Sequence, residues 1–233
     1  VIEPGICPLA EAEKASGAAI KITKDITIKG LRINDHPVIQ GRLQVNANLA
    51  LSQVTLDGTG TDGGQAFDYT ADGSFDYLKI ENCEINNFTK GFFYINKAVI
   101  INTITVDGCI ISNIECSGGD LFDSRAGGYN TFNLTNSTIY NSAKSRDVFR
   151  MDDASKSISA KPVIKVDHCT FCQVGSGNAN YRFFYTRFAG NKITFTNNIV
   201  TDFNNKRGFA NQKTTDQDPT LDNNIYFNTK NLI

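Results

Sequence analysis

One eight-residue phrase returns along this chain at intervals that a sandwich, a leucine-rich repeat or a propeller does not produce. It reads "LSQVTLDG" from Leu51, "IENCEINN" from Ile80, "VDGCIISN" from Val106, "LTNSTIYN" from Leu134, "VDHCTFCQ" from Val166, "FTNNIVTD" from Phe195 and "LDNNIYFN" from Leu221. The anchors lie 29, 26, 28, 32, 29 and 26 residues apart. "ITKDITIKG" from Ile22 precedes them at 29 with a one-residue slip. A sandwich would give turn signals every ~8–12 residues without columns at this spacing. A propeller blade needs ~40 residues, and a leucine-rich repeat is shorter and richer in Leu.

Within each phrase an apolar residue is followed three positions later by a small one and five later by a bulky one. The small column is Val54, Cys83, Cys109, Ser137, Cys169, Asn198 and Asn224; the bulky column is Leu56, Ile85, Ile111, Ile139, Phe171, Val200 and Tyr226. Side chains in a strand alternate with period two, so the step of three marks a bend between two short strands. Two positions beyond the bulky column stand Gly58, Asn87, Asn113, Asn141, Gln173 and Asp202, a column of turn residues rich in amides. A third apolar segment carries Phe67, Phe93, Phe122, Phe149 and Phe184.

Three short strands and three corners per unit predict an all-β, right-handed parallel β-helix of about eight coils. No unit buries its apolar face alone, but stacked units share one core. The hand follows from the usual chirality of parallel crossovers. The coils are expected over 20–226, with 1–19 as an N-terminal cap and 227–233 as a tail. "LAEAEKASG", Leu9 to Gly17, has the composition of a short capping helix closed by Gly.

The charges nearly cancel, 23 basic against 24 acidic, which gives no electrostatic footprint for nucleic acid. No apolar run approaches a membrane span. The opening "VIEPGICPLAEAEK" does not read as a signal peptide, which leaves export open.

"IKVDHCTF", with an amide corner and an apolar strand after it, resembles the phrase at the first bend of a coil in the pectate-lyase superfamily. "ITKDITIKG" and "SRDVFRMD" resemble an uncharacterised bacterial surface-domain family linked to polysaccharide use. The resemblance covers Ile20 to Tyr226. It implies the pectin-lyase-like fold, an extracellular or cell-surface location, and an acidic plant-type polysaccharide as partner, the chain being a monomer or part of a longer multidomain protein. Fold by itself does not establish function.

A lyase acting on uronates needs a cation to neutralise the carboxylate, a base to remove the neighbouring proton, and a groove for the sugar chain. Glu81 and Asp107 fall one coil apart on the first strand and are the candidate calcium ligands; a solvated sheet face with ordinary charge pairs is the plainer reading. Lys79 and Lys165 share that face. On the third strand, three columns are expected to point outward: Asp123, Arg150 and Tyr185; Arg125, Asp152 and Arg187; Asp120, Asp147 and Arg182. Arg125, Arg150, Arg182, Tyr185, Arg187 and Asp152 are the candidate substrate-binding residues, and Arg150, Arg182 and Lys165 the candidate catalytic ones. The alternating signs also suit a lattice that neutralises itself, and a paired arginine keeps its proton. "MDDASKSISAK" and "GSGNAN" are the insertions able to wall a groove.

The amide column is expected to be structural, a ladder along the corner. Cys83, Cys109 and Cys169 are expected to be buried free thiols, stacked too far apart for a disulfide; Cys7, Cys116 and Cys172 receive no role. His168 is expected to be a packed or hydrogen-bonded corner residue and not a catalyst. Two functions remain open: a rod that engages acidic polysaccharide and cleaves it by calcium-assisted β-elimination, or a non-catalytic glycan-binding or spacer module of a larger surface protein.

Overall fold

The computed structural model describes residues 1–8, 19–61, 63–152, 162–178, 180–187, 191–209 and 219–229. Within them the chain forms a parallel β-solenoid of three sheets, holding nine, seven and eight strands. Every strand pair is parallel and joins equivalent positions of successive coils. The expected capping helix at Leu9–Gly17 lies outside the described residues. A strand, β1 (Ile6–Pro8), stands earlier, within the stretch expected to cap the rod, and pairs with β4 (Val38–Gln40).

The columns read from the sequence are neighbours in space. The bulky column runs up the nine-stranded sheet through β7 (Thr55–Asp57), β10 (Glu84–Asn86), β13 (Ile110–Ser112), β16 (Thr138–Ser142), β19 (Thr170–Val174), β22 (Ile199–Thr201) and β24 (Ile225–Phe227). The Phe column runs up the seven-stranded sheet through β8 (Phe67–Tyr69), β11 (Phe93–Ile95), β14 (Phe122–Ser124), β17 (Phe149–Met151) and β20 (Phe184–Thr186). All five phenylalanines are fully buried. Phe122, Phe149 and Phe184 stack with centroids 4.9 and 5.0 Å apart, close to the spacing of the strands that carry them.

Two corners are built from residues with positive φ. At the first bend these are Gln53, Asn82, Gly108, Asn136, His168, Asn197 and Asn223; at the second, Asn87, Asn113, Asn141, Gln173, Asp202 and Asn228. Asn tolerates the left-handed region better than other residues with a Cβ, which accounts for the amide-rich composition. Amides also bond along the rod: Asn141 Nδ2 donates to Asn113 Oδ1 at 2.5 Å and Asn113 Nδ2 to Asn87 Oδ1 at 3.1 Å. The expected ladder is present.

The small column has a specific task. A bend strands a backbone N–H, and the residue one coil on supplies an acceptor. Ser137 Oγ accepts from Cys109 N at 3.0 Å, Asn198 Oδ1 from Cys169 N at 2.8 Å, and Asn224 Oδ1 from Asn198 N at 2.9 Å. The cysteines are free and buried. Burial pushes the Cys83 thiol up to about 11 and those of Cys109 and Cys169 up to about 12. His168 is exposed and hydrogen-bonded through Nδ1 to Asp167 Oδ2 at 2.8 Å, as expected of a corner residue.

Candidate ionic face on the seven-stranded sheet

Period-two alternation sends Phe93, Phe122, Phe149 and Phe184 inward and their successors Tyr94, Asp123, Arg150 and Tyr185 outward. These four stand in one register column. The next column, Arg125, Asp152 and Arg187, follows each strand, held by backbone bonds from Arg125 N to Ile95 O, Asp152 N to Ser124 O and Arg187 N to Met151 O.

The third column departs from expectation. Asp120, Asp147 and Arg182 are not open to solvent; they are buried, at 1%, 4% and 6% exposure. They sit at the corner before each strand, where alternation does not apply, and one carboxylate oxygen of each Asp satisfies a backbone N–H of the next coil. Asp120 Oδ1 accepts from Asp147 N, and Asp147 Oδ1 from Arg182 N, both at 2.9 Å. An unpaired N–H at such a depth would cost ~1–3 kcal/mol.

Asp120 is also the hub of the charges. Its Oδ2 lies 3.2 Å from Arg125 Nη2, 3.2 Å from Arg150 Nη1 and 3.6 Å from Arg146 Nη2. Asp123 closes a two-pronged contact with Arg125, and Asp152 with Arg150, at 2.9 to 3.2 Å. Asp123 and Arg150 are register neighbours, yet the strong pairs run along each strand between residues two apart. Arg182 Nε lies 3.3 Å from Asp147 Oδ1 and Arg187 Nη1 3.9 Å from Asp152 Oδ1. Tyr185 packs under the guanidinium groups of Arg182, Arg150 and Arg187, at 4.1, 5.1 and 5.9 Å from its centroid.

These contacts set the protonation states. Burial, with neighbouring Asp120, pushes Asp123 and Asp147 up to about 6 against the pull of their arginines. Burial disfavours the Arg150 charge, but Asp152 and Asp120 outweigh it and raise the group. Arg182 is lowered, first by burial and then by Arg207 against Asp147. Its guanidinium lies over the Tyr185 ring and donates to Asn180 O at 2.9 Å, and at 6% exposure the residue presents little of itself to a sugar in solution.

The structure therefore brings together Arg125, Arg150, Arg182, Tyr185, Arg187 and Asp152, as a lattice whose arginines are each engaged by carboxylates. Lys165 is elsewhere, on β18 (Val163–Asp167) of the eight-stranded sheet, between Asn133 and Thr194. Glu81 and Asp107 are register neighbours on that same sheet, as expected. One oxygen of each is engaged: Glu81 Oε1 with Lys79 at 3.0 Å, and Asp107 Oδ1 with Thr135 Oγ1 at 2.5 Å and Asn136 Nδ2 at 2.8 Å. No third His, Cys, Asp or Glu completes a metal-binding group among the described residues. Two carboxylates, each with one oxygen already engaged, fall short of the 6–8 oxygens that Ca²⁺ takes, so this pair alone does not make a site for the ion. Of the two insertions, 153–161 and residue 179 lie outside the described residues.

Sequence reasoning passed over the open part of the face. Two adjoining depressions, of about 360 and 420 Å³, share Gln65, Lys90 and Tyr94. One is lined by Arg125 and Arg146 with Asp120 and Asp123, the other by Arg42, Asn96 and Lys97 with Asp68. Tyr94 extends the Asp123 column by one coil, a signal that was present in "GFFYIN"; Lys90 sits on a corner, where no period marks it. Arg125 lies 5.5 Å from the Tyr94 centroid. Lys90 is exposed, and no ion pair engages it among the described residues.

A family model described as a domain of unknown function (DUF4957) matches residues 12–142. No curated protein and no solved structure matches the chain.

Proposed function

The chain belongs to the DUF4957 family, and we propose that it is a glycan-binding module that holds an acidic polysaccharide against the seven-stranded sheet without cleaving it. The carrying observation is the trough centred on Tyr94: an aromatic ring beside Lys90, which no ion pair holds among the described residues, with Arg125, Arg146, Arg42 and Lys97 outnumbering Asp68, Asp120 and Asp123 in its walls. A sugar ring resting on Tyr94 would place its carboxylate between Lys90 and Arg125, where charge-assisted hydrogen bonds orient it. The resemblance of "IKVDHCTF" to the pectate-lyase superfamily supports a uronate-containing ligand and, with it, a location outside the cytoplasm.

Binding is favoured over β-elimination for a specific reason. A base must be unprotonated and exposed to the sugar at the moment of reaction. Arg150 is held in its charged form by Asp152 and Asp120, and Arg182 is buried, packed against the Tyr185 ring.

The experiment is isothermal titration with polygalacturonate and other uronic glycans, run beside the ultraviolet absorbance of unsaturated uronate ends. Saturable binding without absorbance growth is expected, weakened about tenfold or more in Lys90→Ala and Tyr94→Ala, the loss of ~1.4 kcal/mol or more. Absorbance growth would replace the binding reading with the lyase reading. Absence of binding across the panel would refute both.

A further inference from the structure

A second groove, of about 450 Å³, lies on another corner of the solenoid, where the second bends stack. Its walls are the amide ladder Asn87, Asn113 and Asn141 and the hydroxyls of Thr59, Thr61 and Thr89. Glu115 and Lys144 are the charged groups among its described lining residues, and they neutralise each other at 3.0 Å. The groove thus offers an anion no free cation, in contrast to the Tyr94 trough.

The ladder leaves hydrogen-bonding capacity over. A side-chain amide carries two donors and two acceptor lone pairs. Asn113 spends one donor on Asn87 and one lone pair on Asn141. Asn141 spends one donor on Asn113, and no described group donates to its oxygen. Both are exposed, so each presents a spare N–H and a spare lone pair to the groove, one rung apart at ~4.8 Å. Asn87 has spent its donors on Asp57 and Asn86 and keeps a lone pair. Thr89 Oγ1 accepts from Gly64 N, which leaves its hydrogen free to donate. Thr59 and Thr61 have given their hydrogens to Asp57 and Gly58 O, and remain acceptors.

Alternating donors and acceptors at a fixed repeat, with no net charge, match the vicinal hydroxyls of an uncharged sugar chain. We propose that this groove is a second carbohydrate site, taking a neutral glycan segment along the ladder. It stands independently of the ionic face, with which it shares no lining residue. In the two outward rows of the nine-stranded sheet, Glu84 and Asp57 stand in the coils at one end of the groove, and no charge follows from Ile110 through Thr138, Thr170 and Ile199, or from Ser112 through Tyr140, Cys172 and Thr201. A neutral chain leaving the groove toward the later coils meets no charge from those rows.

The test is a titration of isotopically labelled protein with neutral gluco-, xylo- and manno-hexasaccharides, read at the side-chain amide signals of Asn113 and Asn141. Saturable shifts at both, with at least one sugar, are expected. Ala143→Phe fills the groove from an exposed lining position and should weaken the binding tenfold or more. Asn141→Ala, at the exposed end of the ladder, is the second variant should the first not fold. Loss of neutral-sugar shifts in either folded variant, with polygalacturonate affinity retained, is the supporting result. Absence of saturable shifts with all three sugars overturns the proposal, as do shifts that persist in both variants. A failure of the Tyr94 reading would appear separately, in the polygalacturonate arm.

Discussion

Asn198 stands one coil above Cys169 and accepts its backbone N–H at 2.8 Å, while its own Nδ2 donates to Val166 O at 3.1 Å. The side chain is buried, so water does not replace either bond. Asn198→Ala should therefore lower stability by ~1–3 kcal/mol, the cost of a stranded polar group. Asn198→Ser should lose less, because Ser137 does the same work for Cys109. Urea denaturation, with a shifted midpoint and an unchanged slope, measures both.

Asp120→Asn isolates the charge at the hub. The amide oxygen can still accept from Asp147 N, but Arg125, Arg146 and Arg150 lose the carboxylate they share. Removing one partner of a buried ionic group costs ~3–5 kcal/mol, and the partial exposure of these arginines puts the loss at the lower end. Asp152→Asn, with a more exposed pair, should cost about 1 kcal/mol or less. A reversed order by thermal melting would mean that the hub does not carry the lattice.

The raised carboxyls of Asp123 and Asp147 predict an acid-side signature. An unfolded Asp titrates near ~3.9, whereas these titrate at about 6 in the fold. Between the two values the native state binds more protons than the unfolded one. Their contribution is complete below about pH 4 and is lost as the pH rises through about 6. Asp147→Asn removes one such group, so its stability relative to the parent should rise across that interval and level off above it. A difference independent of pH between 4 and 7 would remove the assignment.

Thiol labelling should divide the cysteines by burial. Cys7 is exposed and should react first in the folded protein; Cys83, Cys109, Cys116 and Cys169 are buried and should react only on unfolding. Non-reducing mass measurement should find no bridge between Cys83 and Cys109. A bridge would mean that the coils approach more closely there than the structure shows.

Much of the fold was legible because its repeat writes the same side-chain size at the same depth in every coil. The Phe column and the bulky column could be aligned by eye, and period two then assigned Asp123, Arg150 and Tyr185 to one outward line. Corners were less legible. Asp120 and Asp147 look like surface carboxylates, and the stranded N–H one coil on explains why they are buried. Lys90 escaped notice for the same reason: its place beside Tyr94 is set by the path of a bend, not by a spacing.

The first bend holds two residues in every coil from β6 (Leu49–Ser52) and β7 onward, from Gln53–Val54 to Asn223–Asn224, while the other corners vary in length. A seam of constant size on one edge lets differences in length accumulate on the remaining edges without disturbing alignment. Duplication or deletion of a whole coil would rejoin like with like across that seam. Chains of this build can therefore change reach in steps of one turn while the faces they present to a ligand stay in line.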